Sequence, residues 1–254
     1  MSASLIKLYV SNFVMQILRN DANKFGFIKK DNQPNINGFL NKLIPNLVKD
    51  RKHRREEILN VLENEFVRGD AQQIYECVNT VIDRVYFTDE ELDQLEDRVW
   101  FHPAKKNKAI FDEIETSEAE ITLQSPSVYI RGLLNEYARF PEYKREAITF
   151  EEERLHFAEA SETGQIFHAE VNGKLIRVFA FCHTYEWTYN QANYLIGYDL
   201  TNKLIGAIPL CTVRDSYLVE RKYKPSNNLI DILQKYYEDR QYSVRLPYEE
   251  VSVL

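Results

Sequence analysis

The run "KDRKHRR" at residues 49–55 places five permanent cations in seven positions. Lys49, Arg51, Lys52, Arg54 and Arg55 are the side-chain types that pair with phosphate, Arg as a planar fork and Lys as a point charge. Two other segments interleave charge with aromatic rings. In "SLIKLYV" (4–10), Ile6, Leu8 and Val10 fall on one side of a strand and Leu5, Lys7 and Tyr9 on the other. In "RVWFHP" (98–103), Val99, Phe101 and Pro103 share one side, and Arg98, Trp100 and His102 the other. Cations beside exposed rings are suited to pairing with phosphate and stacking on bases.

The charge distribution agrees with that chemistry. Residues 1–55 hold eleven Lys/Arg and three Asp/Glu, whereas the whole chain carries a net charge of −7. A basic end on an acidic protein suits contact with a polyanion through that end alone.

The elements that must position these residues read as follows. A strand over 4–10 leads into a helix over 11–25, with Ser11 as its cap. After a loop rich in turn formers, a second helix starts at Asn35 or Asn37, with Phe39, Leu40, Leu43, Ile44 and Leu47 inward. Pro45, in mid-helix, is expected to kink it or delay its hydrogen bonding. The order then recurs: a strand over 98–103, a short helix over 107–115, and a helix over 125–140 capped by Ser125 with Pro126 in its first turn. Acidic helices fill residues 54–95 between the two copies.

Strand, helix, helix in about 45 residues is too small to bury its own core. The pattern resembles the ribbon-helix-helix family, in which two such units pair their strands. The resemblance implies a two-stranded ribbon that enters the major groove and a phosphate held near the start of each second helix. Here both units lie in one chain, which implies an intrachain pseudo-dimer. Lys7, Tyr9, Arg98, Trp100 and His102 would then face nucleic acid, with Asn35 and Ser125 near phosphates.

Past residue 148 the chain changes character. A short helix over 151–163 precedes strands at 165–171, 174–187, 193–200 and 204–220, joined by tight turns at Asn172-Gly173 and Thr201-Asn202. The spacing favours a small, strongly bent sheet or barrel. "NYLIGYD" (193–199) and the strand after it resemble the WYL family, whose domain is an Sm-like (SH3-type) β-barrel that acts as a regulatory sensor. Asn193 stands where the family has Trp, and Thr212 where it has Arg. The resemblance implies a polar groove for nucleic acid or a nucleotide-like ligand, rebuilt here from Arg177, His183, Tyr185, Tyr194 and Arg214.

The expected fold class is α+β, in five parts. These are a ribbon-helix-helix unit (1–53), a helical connector (54–97), a second such unit (98–147), a WYL-like barrel (148–222) and a short helix-strand extension (223–254). The function expected from both resemblances is a nucleic-acid-binding transcriptional regulator. One alternative is an accessory protein that binds single-stranded RNA and modulates an RNA-targeting CRISPR effector; another is a protein–protein adaptor without nucleic acid. Partners are duplex DNA or single-stranded RNA, a small nucleotide-like ligand and an effector protein, with a homodimer allowed.

No enzyme activity and no cofactor are expected. The sequence has no phosphate-binding Gly-rich loop, no His-Glu-x-x-His and no Cys/His cluster at metal spacing. Cys77, Cys182 and Cys211 lie far apart and read as reduced thiols. No apolar run approaches the roughly 18 residues of a membrane span, and a cytoplasmic location is expected.

Overall fold

The computed structural model describes residues 5–86, 97–113, 126–186, 191–241 and 251–252. The chain divides into two units, residues 1–140 and 141–254.

In the first unit, β1 (Ile6–Val10) pairs antiparallel with β2 (Asp97–Phe101), although some 90 residues separate them. Alternation sets the register. Leu8 sits opposite Val99 and Ile6 opposite Phe101, and Leu8, Val10, Val99 and Phe101 are buried. A one-residue slip would turn this whole apolar set to solvent.

Helix α1 (Asn12–Lys24) starts where Ser11 accepts the Val14 N–H. It buries Val14, Met15 and Leu18, whereas Phe13 faces outward, 57% exposed. Helix α2 (Ile36–Glu65) starts at Asn35, whose side chain accepts the Gly38 N–H at 3.0 Å. Helix α3 (Arg68–Tyr86) folds back along it. A 3₁₀ turn (Lys105–Asn107), α4 (Lys108–Glu113) and α5 (Pro126–Arg139) follow β2. Helix α5 packs on β1, α1 and α2. Tyr137 of α5 is fully buried and its hydroxyl donates to Asp21 of α1 at 2.7 Å.

Pro45 lies inside α2, as expected, and the helix runs on through residue 65, across the boundary expected at 53/54. Proline has no N–H to offer the carbonyl four residues back, which belongs to Asn41. The Asn107 side-chain amide takes that carbonyl instead, at 2.7 Å. Ser125, the expected cap of α5, lies outside the described residues.

The second unit opens with α6 (Glu142–Thr149), a helix the sequence reading did not foresee, and α7 (Glu151–Thr163), which ends at Gly164 in the left-handed region. The main sheet follows: β3 (Gln165–Val171), β4 (Lys174–Glu186), β5 (Ala192–Asp199), β6 (Leu204–Pro209) and β7 (Val213–Lys222). The Asn172-Gly173 turn has φ of 50° and 78°, the doubly positive geometry of a tight hairpin. The strand expected over 204–220 is broken by a 3₁₀ turn at Leu210–Thr212.

All neighbours in the sheet are antiparallel, in the order β7-β3-β4-β5-β6 and then a last strand, β8 (Val251–Ser252). Strand β8 adds two residues to the β6 edge. Among the described residues β6 and β7 do not pair, so the sheet stays open and the closed barrel is not formed. Helix α8 (Asn227–Gln241) covers one face with Leu229, Leu233 and Tyr236 against Phe179, Tyr194 and Ile196. Helix α7 packs on β3, β4 and β7, where Phe157 meets Phe167 edge to face. Residues 242–250 of the expected helix-strand extension lie outside the described residues. The protein is thus α+β, and no helix of its described residues is long and apolar enough to cross a membrane.

Candidate nucleic-acid interface and the sheet network

With the apolar residues of the ribbon turned inward, its outer face is fixed. Lys7 lies opposite Trp100 and Tyr9 opposite Arg98. Arg98 is exposed and Trp100 is 54% exposed. The four side chains interleave: the Lys7 ammonium lies 4.8 Å from the Tyr9 ring and 5.5 Å from the Trp100 ring, and the Arg98 guanidinium 5.5 Å from Tyr9. Each contact is a cation–π pair of about 0.5–1 kcal/mol at an exposed site. The Lys7 hydrogen bond, aided by the charges of Lys7 and Arg98, holds the Tyr9 phenol below its ordinary pKa.

The end of the ribbon is tied to the start of α2. The Asn37 side chain accepts the His102 N–H at 2.8 Å. The Asn41 side-chain amide donates to the His102 carbonyl at 2.9 Å, and its oxygen accepts the Ala104 N–H at 2.6 Å. The exposed His102 therefore stands beside the helix start that Asn35 caps. Sequence reasoning missed Asn41 and Asn107, whose bonds to each other and to the end of the ribbon span 60 or more residues.

The basic run divides by helical period. Lys49 and Lys52 are exposed. Arg51 is buried with its guanidinium 5.4 Å from the Tyr129 ring. Arg54 donates to Asp50 at 2.8 Å and to the buried Glu136 at 2.7 Å, and lies 5.3 Å from the Phe140 ring. Burial works against its charge, but Glu136 and Asp50 outweigh that and hold its pKa above the ordinary value. Arg55 is half-buried. Of the five cations, Lys49 and Lys52 are the ones a phosphate reaches without disturbing the packing. The signal was present: Arg51 and Arg54 continue the inward stripe of Leu40, Leu43, Ile44 and Leu47.

In the second unit the residues expected in one groove are dispersed. Tyr194 is 4% exposed in the core under α8. Arg177 is exposed and donates to the Thr201 hydroxyl at 3.2 Å. Arg214 donates to the Cys211 and Val213 carbonyls, both at 2.7 Å, and lies 5.1 Å from the Phe150 ring, fastening the 3₁₀ turn to β7. Burial lowers its pKa, partly offset by Glu153, Cys211, Asp215 and Glu170. The Tyr185 backbone pairs with Asn193, and its side chain lies outside what is described.

His183 belongs to a different constellation, centred on Asn193. The Asn193 backbone N–H donates to Glu146 Oε2 at 2.6 Å and its side-chain amide to the same oxygen at 2.8 Å. That amide also donates to the Tyr143 carbonyl at 2.7 Å, and the Cys211 N–H donates to Glu146 Oε1 at 3.0 Å. With its amide so committed, Asn193 must accept through Oδ1 from His183 Nε2–H, 3.0 Å away. Burial raises the Glu146 pKa, which the Asn193 and Cys211 donors counter in part. Burial lowers that of His183 and pushes the Cys182 thiol up to about 11. Asn193 thus has a structural role: its amide joins α6, β4 and β5, and Glu146 extends the network to the 3₁₀ turn. Among the described residues no cluster of His, Cys, Asp and Glu is arranged to hold a metal ion.

No family model matches the chain, and no curated protein matches it. Among solved structures, a proteasome accessory factor B/C (PafBC) of Arthrobacter aurescens aligns at 9% identity over 53% of this chain and 25% of its own, with a TM-score of 0.28. The chain is similar in fold to a protein described as a CRISPR Cas-related protein, with a TM-score of 0.64, 11% identity and 91% of this chain covered; it spans 66% of that protein's length.

Proposed function

We propose that this protein is a nucleic-acid-binding regulator whose ribbon face makes the contact. The observation that carries the reading is the pairing of Lys7 with Trp100 and Tyr9 with Arg98 on the outward side of an antiparallel ribbon. Two cations and two rings on one face provide phosphate pairing and ring stacking together. The recurrence of strand, helix and helix around that ribbon supports a ribbon-helix-helix module built within one chain. The strand order, with a 3₁₀ turn before the last long strand, supports an Sm-like sheet of the WYL type as the regulatory part.

The test is a binding panel of duplex DNA, single-stranded DNA and single-stranded RNA, each at about 50 and about 200 mM salt. Groove insertion by the ribbon gives a duplex preference and an affinity that falls steeply with salt. Lys7→Ala with Arg98→Ala should remove most of the binding. Unchanged affinity in that double variant would overturn the reading and leave a protein–protein adaptor.

The likeness to a CRISPR Cas-related protein favours a second reading, an accessory protein of an RNA-guided effector that binds single-stranded RNA. A preference for single-stranded RNA in the same panel, with Trp100→Ala as the most damaging single change, would select it.

A further inference from the structure

The main sheet carries a cavity of about 260 Å³, lined by residues of the second unit that take no part in the Asn193 network. It opens on β4, β5 and β6, between the Asn172-Gly173 turn and the turn holding Asn202. Ile176 and Val178 line it from β4 and Ile208 from β6. Alternation turns Arg177, between the first two, to the opposite face. The pocket is therefore not the groove that the WYL resemblance implied.

Its floor is unusual because two glycines, Gly197 and Gly206, face each other across β5 and β6. They differ in kind. A Cβ on Gly197 would run into the Val178 side chain and the Phe179 carbonyl, so packing requires glycine there. A Cβ on Gly206 would meet nothing within 4 Å. Glycine is costly inside a strand, where it weakens the sheet and commonly marks a close approach by another group. The Gly206 backbone thus forms a flat patch, walled by Val178 and Ile208.

The rim carries one charge of each sign, Asp199 and Lys174, and they differ in what they are free to bind. Asp199 is consumed by its own turn: one carboxylate oxygen accepts the Thr201 and Asn202 N–H groups, and the other the Asn202 side-chain amide at 2.7 Å. Lys174 is exposed and has no ion-pair partner among the described residues. The rim therefore offers one available cation over an apolar, flat-floored space. An apolar cavity of roughly 150 Å³ takes a benzene ring, so this one has room for two fused rings.

We infer that this pocket binds a flat aromatic anion, its ring system on the Gly206 backbone between Val178 and Ile208 and its carboxylate or phosphate at Lys174. The inference goes beyond the proposed function and does not rest on it, because every residue in it belongs to the second unit and none to the ribbon.

The test titrates 2-naphthoate, and separately the neutral 2-naphthol, into the full chain with a backbone-amide NMR readout. Naphthoate should bind at about 1 mM or tighter, shifting the amides of Ile176, Gly197 and Gly206, and naphthol should bind at least about ten-fold more weakly. Gly206→Val fills the floor where a side chain has space, so it should abolish binding while melting temperature holds or rises. Lys174→Gln should bring naphthoate down to the affinity of naphthol. Absence of binding, equal affinity for the two probes, or binding that Gly206→Val leaves intact would each overturn the assignment.

Discussion

The Asn107 side-chain amide donates to the Asn41 carbonyl, the group that Pro45 leaves without its helical partner. A residue after β2 thereby completes a helix that starts some 70 positions earlier. The pairing explains how α2 passes through a proline without ending, and it binds the second half of the ribbon to the first helix pair.

Removing that amide should expose the defect. Asn107→Ala leaves the Asn41 carbonyl without its donor and should cost about 1–3 kcal/mol in denaturant unfolding. In a Pro45→Ala background the helix supplies its own N–H, and the same substitution should cost clearly less. Equal costs in both backgrounds would refute the coupling.

Glu146 should tolerate no isostere. Glu146→Gln places an NH₂ where a carboxylate oxygen accepts from Asn193 or Cys211, so a donor faces a donor. A loss of about 1–3 kcal/mol is expected. Asn193→Leu retains bulk and the backbone N–H to Glu146 but removes the side-chain amide from Glu146, the Tyr143 carbonyl and His183, and should cost about as much.

Acid should weaken the second unit through His183, whose folded pKa lies below its ordinary value of 6.5. The stability it contributes is complete above pH 6.5 and is lost as pH falls through the lower folded value. His168 is shifted the same way, by burial and then by Arg177. Glu146 has the opposite sign, because its contribution is complete below its ordinary 4.5 and is lost as pH rises through the raised folded value. Unfolding curves at pH 7.5 and pH 5.5 should therefore converge in the His183→Gln, His168→Gln double variant relative to the parent. An unchanged gap would assign the acid sensitivity elsewhere.

The two facing glycines should respond in opposite directions. Gly197→Ala drives a Cβ into Val178 and the Phe179 carbonyl, at a cost of about 1–3 kcal/mol or more. Gly206→Ala meets open space and should be neutral or stabilising by up to about 1 kcal/mol. Thermal melts of the two variants decide the point.

How legible was all this in the sequence? The ribbon was, because strict alternation in 4–10 and 98–103 leaves one way to bury Leu8, Val10, Val99 and Phe101. The caps at Ser11 and Asn35 were too, since their chemistry is local. The basic run misled because charge was read as surface, although Arg51 and Arg54 share the period of the buried leucines. Asn41, Asn107 and Glu146 were beyond reach, since each takes its meaning from a partner remote in sequence. Asn193 was read as a missing Trp, and its role appears only once α6 supplies Glu146.

Ribbons assembled from two identical chains are tied to mirrored halves and to the concentration of their subunits. Here both edges belong to one polypeptide, so the blade forms at any dilution and its edges are free to differ. One edge carries Lys7 and Tyr9, the other Arg98 and Trp100. Whatever lies against it meets a surface with a distinguishable left and right, which favours a target without dyad symmetry.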